Sequence, residues 1–163
     1  MEHPINLQTN RAILYVFFIL LFNSCTNTNL ADVNLAIPEN GWTYAKSIKA
    51  TVDIQDPALT YDVSFKIRNT SDYRYSNIYV IMRLKSEQRF LKDGRYQFQL
   101  AKATGQWIGK GSGNLYSNTF PLLKKFRFPK AGKYEIEVEQ NMRDNPLVGI
   151  SDVGITVESI RKD

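Results

Sequence analysis

Apolar residues recur at every second position through much of this chain, and that spacing admits strands and little else. Leu59, Tyr61, Val63, Phe65 and Ile67 alternate with Thr60, Asp62, Ser64, Lys66 and Arg68. A period of two puts one set on each face of a pleated strand, so the segment predicts a half-buried strand. Ile48, Ala50, Val52 and Ile54 repeat the pattern until Asp56-Pro57 breaks it. Ile78, Val80, Met82 and Leu84 form another run, and Tyr79 and Ile81 on its second face place it centrally. Tyr134, Ile136 and Val138 alternate with Glu135, Glu137 and Glu139, and Val153, Ile155 and Val157 make a last strand. Residues 96–104 hold the one helical option, but Tyr96, Phe98 and Leu100 fit a strand better.

Turn chemistry separates these runs. Asn69-Thr70-Ser71-Asp72 offers side chains that bond their own backbone, and Asn145-Pro146 starts a loop. Lys92-Asp93-Gly94 is a hairpin signal, across which Arg89 to Lys92 pairs with Tyr96 to Leu100. Phe120 to Phe128 reads as a strand broken by Pro121. Seven or eight short strands with turns between them predict an all-β fold, a two-sheet antiparallel β-sandwich of Ig-like or jelly-roll-like type.

The first 25 residues have another logic. Arg11 precedes an unbroken apolar run of eleven residues, Ala12 to Phe22, followed by Asn23, Ser24 and Cys25. Eleven residues are too few to span a bilayer, which needs about twenty. A charge, a short apolar stretch and a small-residue boundary make a secretory signal. A cysteine at the cut is what lipoprotein processing requires, so residues 1–24 read as a lipoprotein signal peptide and Cys25 as the lipidation site. An ordinary signal would leave an unpaired thiol in an oxidising compartment. Residues 25–35 then read as a lipidated tether and 36–163 as the sandwich domain. The membrane is the first partner, reached through lipid on Cys25.

Cleavage before Cys25 takes 24 of 163 residues and leaves 139, one domain. Arg11 and Glu2 leave together, so the formal charge stays at +5. That suits loose attraction to anionic envelope polymers, but no dense Lys/Arg run of the nucleic-acid kind is present. The one histidine, His3, lies in the signal, and the one cysteine is the anchor. The mature domain therefore lacks the groups for Ser-His or Cys-His catalysis and for His- or Cys-ligated metals. No catalytic residue, metal or cofactor is expected.

Three segments imitate chemistry. Gly105-Gln106-Trp107-Ile108-Gly109-Lys110-Gly111 departs from a phosphate loop: three residues, not four, precede the Gly-Lys pair, and Gly111 replaces the Ser or Thr. It reads as a loop needing positive φ or close backbone approach, with Trp107 as its core plug. Glu135, Glu137 and Glu139 share one strand face and read as solvated, with Lys124, Lys125 and Arg127 nearby as exposed ion partners. Pro129 to Tyr134 reads as a corner at which the chain changes sheets and a Tyr hydroxyl bonds nearby backbone. Asn69-Thr70-Ser71 has the form of a glycosylation acceptor, a use the bacterial-type signal disfavours. For Arg143 and Asp152 a partner surface and a local ion pair both stay open.

Several segments in order resemble one known family: Pro38-Glu39-Asn40-Gly41-Trp42, Arg68 to Tyr73 with Ser76-Asn77, Gly105-Gln106-Trp107 with Gly109-Lys110-Gly111 and Gly113, Gly132-Lys133-Tyr134, Gln140 to Arg143, and Gly149 to Gly154. Together, after a lipoprotein signal, they are similar to the gliding-motility-associated lipoprotein GldH family over essentially the whole mature domain. Arg74 departs from the Pro expected after the Tyr, and Phe22 from the Leu expected three residues before the cysteine. The resemblance implies a cell-envelope lipoprotein needed for gliding and for type IX secretion. It implies no enzymatic activity and no defined cofactor. Of site residues it transfers only Cys25, the lipid attachment. Thr26 gives no inner-membrane retention signal and no acidic pair follows Cys25, so the expected place is the outer membrane, facing the periplasm. The expected partners are other gliding and secretion proteins, with Trp107, Lys110, Arg143 and Asp152 as candidate contacts. An envelope glycan stacking on Trp42 or Trp107 is the alternative ligand.

Overall fold

The computed structural model describes residues 29–160 apart from Asn40 and Gln88. The signal and Cys25 lie outside the described residues. The described residues form nine strands: β1 (Asn29–Ala36), β2 (Ile48–Ile54), β3 (Thr60–Thr70), β4 (Asn77–Ser86), β5 (Phe90–Gln99), β6 (Lys110–Ser112), β7 (Leu115–Phe126), β8 (Gly132–Gln140) and β9 (Ile150–Ile160). They form two antiparallel sheets, β1-β9-β3-β7-β6 and β2-β8-β4-β5. The all-β sandwich read from the sequence is the fold observed.

The pairing resolves the topology into a rolled hairpin. β4 pairs with β5, β3 with β7, β2 with β8 and β1 with β9. Rolling this ladder brings β3 against β9 and β4 against β8. The chain changes sheet at every connection except the β4–β5 and β6–β7 hairpins. This is the jelly-roll arrangement of the two options.

Period two maps onto burial as expected. Along β2, β3, β4 and β8 the apolar positions face inward and are buried. β4 is central in its sheet, as Tyr79 and Ile81 implied. The corner also holds: between β7 and β8 the chain changes sheets, and Tyr134 Oη donates to the Lys130 carbonyl at 2.8 Å.

Four expectations are corrected. The tether does not reach residue 35: Asn29–Ala36 is strand β1, because Ala31, Val33 and Leu35 turn inward while the backbone pairs with β9. The Asp93-Gly94 hairpin does not form. β5 runs straight through it, with Asp93 opposite Arg83 and Gly94 opposite Met82. The turn lies at 87–89, closed by Ser86 N–H donating to the Arg89 carbonyl at 2.9 Å. Pro121 does not break β7, because beyond β6 that strand has β3 as its sole neighbour and a residue without N–H is tolerated. Lys124, Lys125 and Arg127 do not meet the glutamates, since β7 belongs to the other sheet. Instead Lys49 lies 3.6 Å from Glu135 and Glu137, Lys85 3.1 Å from Glu137, and Arg83 2.6 Å from Glu139. Cross-strand neighbours, not chain neighbours, supply the cations.

Burial alone raises the Glu137 carboxyl. The Ser47 hydroxyl, donating at 2.7 Å, together with Lys85 and Lys49, outweighs it and holds the group below its ordinary value. A lowered folded value adds stability above the unfolded one and loses it as pH falls through the lowered value. Glu137→Gln is therefore expected to lower the urea midpoint at neutral pH. Its deficit should shrink as pH falls through that lowered value, where the wild-type carboxylate is itself protonated.

Candidate functional site

One end of the sandwich collects every long loop. The β1–β2, β3–β4 and β5–β6 connections, the β6–β7 turn and the β8–β9 loop all lie beyond the same strand ends, opposite the end at which β1 starts. The segments Gly41-Trp42, Thr70 to Tyr73, Gly105 to Trp107, Gln140 to Arg143 and Gly149 meet here.

Backbone bonds tie these loops into one body. Trp42 and Leu147 exchange N–H to carbonyl bonds at 2.9 Å in each direction. Thr70 N–H donates to the Gly149 carbonyl at 2.9 Å, and Ser71 N–H to the Asn114 carbonyl at 3.0 Å. Gly149 has a φ of +86° and presses on the Tyr73 backbone so closely that a Cβ would stand 2.7 Å from its Cα. Gly109, whose Cβ would meet Asn118 Nδ2 at 2.6 Å, and Gly105, at φ +84°, show the close approach and positive φ expected of the glycine-rich segment.

Gln140 organises the β8–β9 loop, and it sits fully inside. Its Nε2 donates to the carbonyls of Trp42 at 3.2 Å and Asp144 at 3.0 Å, and its Oε1 accepts from Met142 N–H at 2.8 Å. Tyr44 Oη closes the same loop from outside, donating to the Met142 carbonyl at 2.6 Å. Tyr75 Oη donates to Asp144 Oδ2 at 2.7 Å, and that hydrogen bond, with some desolvation and the carboxylate's charge, raises the phenol's pKa. The signal for Gln140 was legible: it is the one polar residue in the inward series Tyr134, Ile136, Val138, Gln140.

Above this lies an aromatic cluster. Tyr73 is buried, 5.7 Å from Tyr75 and 6.5 Å from Trp107 between ring centres, and Trp107 lies 5.4 Å from Tyr116. Trp107 is half-buried and packs against the core from its edge, less fully than a core plug would. Tyr44, Ile108 and Val148 stand exposed at this end.

The four candidate contacts do not share one spot. Trp107 and Arg143 belong to the loop end. Lys110 and Asp152 lie on the outer face of the five-stranded sheet, in the row Ala36, Asp152, Arg68, Ser117, Lys110. Asp152 takes Arg68 Nε at 2.8 and 2.7 Å and makes its ion pair there, not with Arg143. Lys110 and Arg143 are exposed and form no ion pair with another described residue. Asn69 is fully buried, which removes it as a surface acceptor. No group of His, Cys, Asp and Glu suited to a metal occurs among the described residues.

Fold and site together define a β-sandwich whose loop end is cross-braced by backbone bonds and carries a cluster of aromatic rings. The GldH lipoprotein family model matches residues 29–157, and the chain belongs to that family. It is 31% identical over 152 residues to the gliding motility lipoprotein GldH homolog of Christiangramia forsetii, covering 89% of this chain and 93% of that one. It is 24% identical to the gliding motility lipoprotein GldH of Flavobacterium johnsoniae, covering 91% and 96%. Among solved structures, the insecticidal delta-endotoxin Cry8Ea1 of Bacillus thuringiensis matches 80% of this chain and 20% of its own at 17% identity, with a TM-score of 0.40.

Gln140→Leu is expected to cost about 2–4 kcal/mol, because it leaves the Met142 amide and the Asp144 carbonyl without their partner. Hydrogen exchange at the Met142 amide should accelerate more than exchange in β3.

Proposed function

We propose that this protein is an outer-membrane lipoprotein, held by lipid on Cys25 and facing the periplasm. It serves gliding and type IX secretion as a non-enzymatic scaffold or assembly factor. The observation that carries this reading is the placement of the two ends. β1 starts at Asn29, four residues after Cys25, at the end opposite the loop cluster. An anchor there turns Trp107, Ile108, Val148 and Arg143 away from the lipid, toward other envelope proteins. Family membership and the names of the two relatives supply the process. The only His and Cys precede Asn29, which favours binding over catalysis.

A protein partner fits the loop end better than a glycan. Trp42 is fully buried, and Trp107 is half-buried with Tyr73 and Tyr116 against it, which leaves less indole surface for a sugar than an open stacking platform would. Exposed Ile108 and Val148 suit an apolar protein contact.

Deleting the gene should abolish colony spreading and secretion of type IX cargo, and the wild-type copy should restore both. Cys25→Ala should fail to restore them. Ile108→Asp with Val148→Asp should restore membrane attachment but not spreading. Normal spreading and secretion in the deletion strain would overturn the reading.

A further inference from the structure

Two groups of cations in the domain contrast. Lys49, Lys66, Arg68, Arg83 and Lys85 lie on the sheet faces, and each forms an ion pair. At the end where β1 starts, Arg89, Lys92, Lys124, Arg127, Lys130 and Lys133 are all exposed, and none forms an ion pair with another described residue. Arg89, Lys130 and Lys133 line an open groove of about 360 Å³ between the β4–β5 turn and the corner before β8. Glu87 is the only carboxylate in its lining. Phe90, next to Arg89, is 50% exposed. An exposed ring beside unpaired cations is the chemistry of a surface that meets lipid headgroups.

Chain length places this surface. From Cys25 to Asn29 there are four links, which reach at most about 14 Å. The loop end also bears unpaired cations, but β3 and β9 are eleven residues long. Strands of that length put the loop end roughly 35 Å away, beyond the reach of the tether. With Cys25 in the bilayer, the groove is held near the headgroups at high local concentration, so even a weak attraction is occupied. The two contacts are also set apart. The tether enters at β1, an edge of one sheet, while the groove lies toward β5, an edge of the other. Two separated contacts stop the domain from tipping.

We propose that this end docks on the leaflet carrying the anchor, with Arg89, Lys130 and Lys133 holding the phosphates of anionic phospholipids and Phe90 entering the headgroup layer. Docking holds the sandwich upright and aims the loop end away from the bilayer. The proposal rests on the lipidation of Cys25 proposed above.

The test uses the full lipidated protein in two vesicles, phosphatidylethanolamine alone and phosphatidylethanolamine mixed with phosphatidylglycerol. Lysine acetylation is read site by site by mass spectrometry. In the mixed vesicles Lys92, Lys124, Lys130 and Lys133 should react roughly threefold less or slower still, and high salt should restore them. Lys102 and Lys110 at the far end should not change. The variant carrying Arg89→Glu, Lys130→Glu and Lys133→Glu should keep its vesicle attachment and its fold by circular dichroism, yet lose protection at Lys92 and Lys124. Equal reactivity in both vesicles overturns the proposal, as does protection of Lys102 and Lys110 instead. Protection by added inorganic phosphate, with none from phosphatidylglycerol, marks a soluble anion site and also overturns it. Protein that takes up no palmitate and does not stay with vesicles defeats the anchor reading and this proposal together. Anchored protein with an unchanged footprint defeats only this one.

Discussion

Among the described residues no hydrogen-bonded strand pair joins the two sheets, so side-chain packing between their inner faces is what holds the strands of one sheet on the other. The most continuous part of that packing is aromatic. Trp42 stacks near Phe65 at 6.3 Å, Phe65 near Phe98 at 6.1 Å, and Phe98 on Phe120 at 4.5 Å and 6°. Phe65 and Phe120 belong to the five-stranded sheet and Phe98 to the other, so the run crosses the interior twice. Such pairs add about 0.5–1.5 kcal/mol each beyond the area they bury. At one end the run reaches Trp42, and through Trp42 the loops that carry the candidate site.

Inward residues were legible because burial imposes period two and nothing local competes with it. Val63, Phe65, Val80, Met82, Ile136 and Val138 needed no further information. The failures all concern choices made by distant pairing. Asp93-Gly94 has the local chemistry of a turn, worth little against a strand of ten residues laddered along β4. Gly94 serves another purpose, since a Cβ there would stand 3.0 Å from the Tyr96 ring. Asn29 to Ala36 looked polar because its outward residues Asp32 and Asn34 mask a modest inward set. β6 is too short, at three residues, to carry any period.

The candidate site was half legible for the same reason. Tyr134 announced its corner, because a Tyr after Pro-Lys-Ala-Gly bonds backbone close in sequence. Gln140, Tyr44 and Tyr75 act across the fold: Tyr44 Oη caps a carbonyl 98 residues on, and Tyr75 meets an acid 69 residues on. Pairings of that range have no local signature. What the sequence does carry is a polar residue at an inward position of a strand, and Gln140 met that description.

The charges of the domain are distributed unevenly. On the four-stranded sheet Lys49, Glu135, Glu137, Lys85, Arg83 and Glu139 alternate across the strands and cancel one another. On the five-stranded sheet Lys66 and Arg68 are answered by Asp32 and Asp152. Exposed pairs of this kind add only a few tenths of a kcal/mol to stability. They leave few unpaired cations on the broad faces, Arg95 and Lys110 among them. Arg89, Lys130, Lys133 and Arg143 lie at the ends, with exposed Phe90, Ile108 and Val148. The long loops gather at one tip of this sandwich and the start of β1 lies at the other. Its rigidity comes from the aromatic run that locks the sheets, and its length comes from the eleven-residue strands β3 and β9.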